Sequence, residues 1–154
     1  MLDAIASRIP ESVKLAFSYL RFILLHLACG AAIWTGVTRR ALIMCACVYV
    51  FQILSVTIGY HRYFSHRSYR TSRVMQFILA FFSQASAQKG VLWWSAHHRY
   101  HHRHSDQPDD THSPKDGIWW SYAGWILHPK TRGTKLEQIP DLLKFPELRL
   151  LNYF

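Results

Sequence analysis

Two short histidine patterns in a basic stretch carry the chemistry this chain can offer. His61 and His66 are spaced H-x-x-x-x-H, and His98, His101 and His102 are spaced H-x-x-H-H. Eight of the ten histidines fall between His61 and His112. Imidazole is the commonest protein ligand of Zn, Cu, Fe and Ni, and crowding so many rings together is unfavourable unless a metal offsets it. On an α-helix, at about 100° per residue, positions 98, 101 and 102 share one side, while His97, His101 and His104 form a competing stripe. Spacing alone leaves His97 and His98 as alternatives. His61 and His66 are harder to reconcile. Five residues apart on a regular helix, they diverge by about 140°. They serve one centre only where the helix frays or ends between them, and Gly59 marks the expected loosening point.

Ligand chemistry narrows the metal. A zinc protease of the H-E-x-x-H kind needs a glutamate between its histidines, and none is present. Carboxylate-bridged di-iron bundles need Glu-x-x-His motifs, which are also absent; Asp109-x-x-His112 comes nearest, in a Pro-containing loop. Cys29, Cys45 and Cys47 all lie in apolar runs, which excludes Cys/His zinc and leaves them as packing residues. What remains is an all-nitrogen site, expected to hold two metals and suited to Fe more than to Cu, Mg or Ca. A metal-bound imidazole donates its other N–H to an acceptor, for which Asp106, Asp109 and Asp110 are the candidates.

The elements that must position these rings are helical. Half of the 154 residues are hydrophobic, and no Asp or Glu occurs between Glu11 and Asp106. We divide the chain into an amphipathic lead-in (1–18), a transmembrane hairpin (19–60) and a cytoplasmic histidine region (61–154). Residues 19–37 and 41–60 are each long and apolar enough to span a bilayer, and the Thr38-Arg39-Arg40 connection is short enough to force a hairpin. The first run leads straight into a second, which reads as a membrane span rather than a removable signal peptide. Arg62, Arg67, Arg70, Arg73, Lys89, Arg99 and Arg103 all follow the hairpin, placing its termini and the histidines in the cytoplasm. The net charge of +9 therefore fits anionic headgroups better than nucleic acid. Residues 74–87 are too short and polar for a span and read as a helix at the interface or packed on the histidine region. Trp93 and Trp94 are expected at headgroup depth, the 119–125 segment at the surface, and residues 136–154 as an amphipathic tail broken by Pro140 and Pro146.

The residues around the two patterns resemble a known family. Gly59-Tyr60-His61-Arg62-Tyr63-Phe64-Ser65-His66-Arg67 and Trp94-Ser95-Ala96-His97-His98-Arg99-Tyr100-His101-His102-Arg103 are similar to the first and second histidine boxes of membrane acyl-CoA (fatty acid) desaturases. The likeness covers most of the chain. It implies an all-α membrane protein: a transmembrane helical hairpin plus cytoplasmic helices carrying the histidine cluster, as part of a four-span desaturase fold. It also implies that His61, His66, His98, His101 and His102 ligate two iron ions, with His97 beside the site and no catalytic group beyond the ligands. His97, His112, Asp106 and Trp94 are candidates for supporting or substrate-facing positions. The family's third box follows two further spans, so this sequence is expected to be the N-terminal half, unable by itself to complete the di-iron centre or turn over.

The activity the resemblance implies is O2-dependent insertion of a cis double bond into a saturated acyl chain carried by CoA or by a lipid. The expected electron donor is ferredoxin-like or a cytochrome. The expected location is a bacterial inner membrane, or the endoplasmic reticulum of a eukaryote. The alternatives are a related membrane di-iron hydroxylase or alkane monooxygenase, and a non-catalytic membrane fragment that binds metal.

Overall fold

The computed structural model describes residues 10–152, so residues 1–9 of the expected lead-in lie outside the described residues. Every regular element among the described residues is helical. Helix α1 (Glu11–Gly30) is prolonged by one short turn, Ala32–Thr35, and stops at Gly36, whose φ of 76° only glycine adopts readily. Thr38 then caps α2 (Arg39–Ser55), its hydroxyl accepting the Ala41 N–H at 3.2 Å. Helical runs of 24 residues (Ser12–Thr35) and 27 residues (Arg39–Ser65) are apolar and long enough to cross a bilayer, for which about 20 suffice. No side chain of α2 is buried against protein. An apolar helix exposed all round is at home in lipid, where its backbone bonds are satisfied internally. Among the described residues α1 and α2 do not pack on one another. Instead α1 is held by Trp119, whose ring lies 6.1 Å from Tyr19 and 5.6 Å from Phe22.

The chain continues from α2 without a break into a ten-residue π-helix, Val56–Ser65. Two helices pack on that segment. α3 (Arg73–Gln84), capped by Ser72, turns Gln76, Ala80 and Ser83 inward and leaves Val74, Phe77, Ile78 and Phe81 exposed. Its apolar face points away from the protein, as suits a helix lying against lipid. α4 (Val91–His104) buries Leu92 and Ala96 against Tyr60 and Phe64. Its N-terminus is capped from a distance: the Trp93 N–H donates to Asn152 Oδ1 at 3.0 Å. Asn152 sits so close that a Cβ on Gly90 would fall 2.6 Å from its Cα, which explains the glycine there.

Residues 136–152 are less helical than the amphipathic pattern suggests, and they are interrupted as expected. Pro140 and Pro146 break them into turns and α5 (Pro146–Leu151), and Ile139, Leu142 and Leu148 complete the core beneath α3 and α4. Contrary to expectation, Trp93 does not reach toward headgroups: it is 3% exposed, donates to the Thr131 carbonyl and stacks on Trp125 at 5.2 Å. The 119–125 segment is divided, with Trp119 and Tyr122 exposed and Ala123, Gly124 and Trp125 buried.

Candidate metal centre

The π-helix resolves the awkward five-residue spacing. Its i→i+5 hydrogen bonds place residue i+5 over residue i, and the His66 N–H bonds the His61 carbonyl at 3.0 Å. The two rings lie 4.4 Å apart instead of on diverging faces. The helix does not fray at Gly59. That glycine allows close packing instead, since a Cβ there would collide with the Ser83 hydroxyl and lie 3.2 Å from the Leu79 carbonyl. Outside groups hold the segment's carbonyls. Ser83 donates to Ser55 at 2.6 Å, Tyr69 to Ile58 at 2.9 Å, and Arg99 to Phe64 and Ser65 at 2.5 and 3.1 Å.

α4 supplies the second set by ordinary helical geometry. Facing ring nitrogens form a chain: His61 Nε2 to His66 Nε2 is 3.2 Å, His66 Nε2 to His98 Nε2 is 3.2 Å, and His98 Nε2 to His102 Nε2 is 3.0 Å. All four rings present a nitrogen within 4.8 Å of the others. Each neutral Nε2 carries either one hydrogen or one lone pair. Three contacts in a row therefore allow at most two hydrogen bonds, and the middle contact is left unsatisfied. A cation bound among them would engage these lone pairs, so these four residues could hold one. Burial, then the neighbouring imidazoles, push His98 down to about 3, and burial also lowers His66. Both rings are thus in the neutral, ligating form at pH 7.

His101 stands one step away, its ring 6.4 Å from His98 and 5.6 Å from His102. Its Nδ1 donates to Asp110 Oδ1 at 2.7 Å, which leaves Nε2 free. The Asp110 side chain is wholly buried. Burial raises its pKa, but hydrogen bonds from His101 and from the Asp106 and His112 N–H groups carry it below the usual carboxylate range. The acceptor among the three candidate aspartates is therefore Asp110. Asp106 touches no imidazole: its N–H serves Asp110 and its carboxylate accepts from Ser113. His112 stacks on His101 at 4.1 Å, between it and Trp125. Trp94 lies flat on His98 at 4.6 Å, anchored by Gln88. His97, 1% exposed and bonded to the Trp93 carbonyl, is outside the group.

A cavity of about 470 Å³ opens beside His66, His98 and His102, with Arg67, Arg103 and Glu137 on its wall. Of the basic residues that follow the hairpin, Lys89 and Arg99 are turned onto protein. Lys89 lies over the Trp93 ring at 4.2 Å, and burial pushes it down to about 8. The Arg99 side chain is 9% exposed and paired with Asp141 at 2.7 Å. A signal for it existed. Leu92, Ala96, Arg99 and Arg103 fall on one helical stripe, so the arginine continues a core-facing row.

The fatty acid desaturase family model matches residues 38–150. The chain is 30% identical over 152 residues to a Delta(9)-fatty-acid desaturase of Caenorhabditis elegans, covering 93% of this chain and 44% of that protein. It is 33% identical over 120 residues to an acyl-CoA Delta(11) desaturase of Choristoneura rosaceana (75% and 36%). It is 34% identical over 93 residues to a probable acyl-CoA desaturase of Schizosaccharomyces pombe (60% and 19%). The chain thus spans less than half the length of each of these relatives. No solved structure matches it significantly. With a family match over most of its length and two helices fit to cross a membrane, this chain belongs to the fatty acid desaturase family.

Proposed function

We propose that the protein containing this chain is a membrane desaturase that inserts a cis double bond into a saturated acyl chain, and that these residues hold much of its iron. The observation that carries the reading is the meeting of His61, His66, His98 and His102 nitrogens from two separate helices. We assign His101 to the same centre, with Asp110 fixing its tautomer, and expect further ligands from outside these 154 residues. Imidazole donors suit iron. When bound, iron supplies with O2 the oxidising power that no side chain possesses. For each double bond formed, O2 is reduced to two waters, taking two hydrogens from the acyl chain and two electrons with two protons from outside.

The chain's own residues do the positioning. Partial burial and the neighbouring imidazoles lower His61, His66 and His98, which favours their neutral, lone-pair-bearing form. Trp94 fixes the plane of His98. The lipid-facing surfaces of α2 and α3 suit an acyl chain, and exposed Arg62, Arg67, Arg70 and Arg103 suit an anionic carrier or headgroup. We take CoA as the carrier, a small ferredoxin-like or cytochrome protein as the donor, and the cytoplasmic face as the location of the histidines, whether at a bacterial inner membrane or the endoplasmic reticulum.

The test is iron content of the detergent-purified chain, with fatty-acid analysis of the longer polypeptide by gas chromatography. His98→Ala is expected to lose bound iron and abolish the alkene product while still inserting into membranes. Unchanged iron in that variant sinks the site, and an alcohol product assigns the protein to the hydroxylases instead.

A further inference from the structure

Ten consecutive residues in π-helical form need an explanation. Such turns usually occur singly. Nothing within residues 56–65 forbids an α-helix, since there is no proline and Gly59 has ordinary backbone angles. The register must therefore be held from outside.

Arg99 is placed to hold it. The guanidinium has five N–H donors in a rigid fork, and five contacts meet them. Nε donates to the Ser65 carbonyl at 3.1 Å, and Nη2 to the Phe64 carbonyl at 2.5 Å. Nη1 donates to the Gln138 carbonyl at 3.0 Å. The two remaining contacts go to Asp141, at 2.7 and 3.1 Å. Phe64 and Ser65 immediately precede His66, and Arg99 immediately follows His98. One side chain therefore ties the end of the first histidine segment to the middle of the second. Asp141 also receives Arg67 at 2.6 Å, so the residue just after His66 is drawn to the same carboxylate.

We propose that Arg99, held by Asp141, is a positioning residue that sets the π-helical register of residues 56–65 and so brings His61 and His66 onto His98 and His102. It rests on the metal-binding reading for its purpose, not for its geometry. A lysine cannot replace it, because a single ammonium offers three donors from one point and cannot meet three backbone carbonyls and both oxygens of a carboxylate.

The experiment uses the detergent-purified chain with two readouts. Co(II), followed by its visible ligand-field absorption, reports ligand convergence. Amide hydrogen exchange of the peptide covering residues 56–68, without metal, reports the register through the His66 and Ser68 N–H groups, bonded to the His61 and Arg62 carbonyls. Arg99→Lys is expected to weaken Co(II) about 10–100-fold and to speed exchange in that peptide, with far-UV circular dichroism unchanged. Asp141→Asn is expected to do the same to a smaller degree, and it carries the test should Arg99→Lys lose helix. Arg73→Ala, which removes a separate Arg–Glu147 fork, is expected to leave Co(II) affinity within about twofold. Wild-type exchange and affinity in both Arg99→Lys and Asp141→Asn overturn the clamp. If the unaltered chain fails to bind Co(II), the metal reading falls, and the exchange result still decides the clamp.

Discussion

His98 and His102 lie four residues apart on an α-helix; His61 and His66 lie five apart on a π-helix. Both pairs put their ring nitrogens into the same few ångströms, but they arrive differently. For the second pair the backbone does the work. An i, i+4 spacing faces one way on any α-helix, and the supports are local, with Trp94 one turn before His98 and Asp110 nine residues after His101. For the first pair the backbone must be persuaded. Its carbonyls are occupied by Ser83 from α3, by Tyr69 and by Arg99 from α4. Convergence is intrinsic to one segment and imposed on the other. The imposed segment should fail first.

Gly59→Val tests that difference most severely. The new side chain meets Ser83, which is fully buried and bonded to the Ser55 carbonyl, so it cannot retreat without releasing the π-helix. Overpacking of this kind costs about 3 kcal/mol. We expect a correspondingly lower thermal midpoint in detergent, with amide exchange accelerating first in residues 56–68 while α4 stays protected. A variant that melts like the parent would mean that the close approach of α3 is not what holds the π-helix.

On the α-helical side the expected failure is one of orientation, not register. Asp110→Asn keeps the volume but replaces a charge-assisted acceptor, so His101 is no longer pinned in the tautomer that frees Nε2. We expect metal affinity to fall about 10-fold with no change in exchange across residues 56–68. Unchanged affinity would place His101 outside the metal centre.

The same contrast explains what could be read without coordinates. Helical spans, the shared side of positions 98 and 102, and an aspartate behind His101 all follow from periodicity and ligand chemistry within a few residues. The pairing of His61 with His66 does not, because i→i+5 bonding leaves no mark in local composition. It depends on donors contributed by Ser83, Tyr69 and Arg99, up to 35 residues away. The burial of Arg99 was not legible for a related reason. Its charge suggested solvent, while the stripe of Leu92 and Ala96 pointed inward, and the partner that makes burial tolerable, Asp141, lies 42 residues on. Where the 136–152 segment docks was not legible either, because Ile139 and Leu142 pack from turns, which carry no helical period, and Leu148 from the short α5. In each case the deciding partner is remote in sequence.

Acid should separate the two segments more gently. Asp141 experiences burial, which raises its pKa, but hydrogen bonding and charge from Arg99 and then Arg67 carry it below the usual range. Glu147, bonded by Arg73, is lowered to about 2. In the unfolded chain both carboxyls take up protons at higher pH than in the fold. Between the ordinary carboxylate range and about pH 2 the unfolded state therefore binds more protons, and stability rises with pH across that window. The contribution is complete above it and is lost as pH falls through the folded values. The histidines lowered in the fold push in the same direction, so acid weakens both segments, and protonating Asp141 additionally loosens Arg99, which holds the Phe64 and Ser65 carbonyls. We expect exchange across residues 56–68, corrected for the intrinsic rate, to gain a step as Asp141 takes up its proton. Asp141→Asn should remove that step, because an amide has no proton to gain there. If the substituted chain keeps the same acid step at residues 56–68, the register is held by something other than the Asp141–Arg99 pair, and the asymmetry between the two histidine segments lies in the backbone itself.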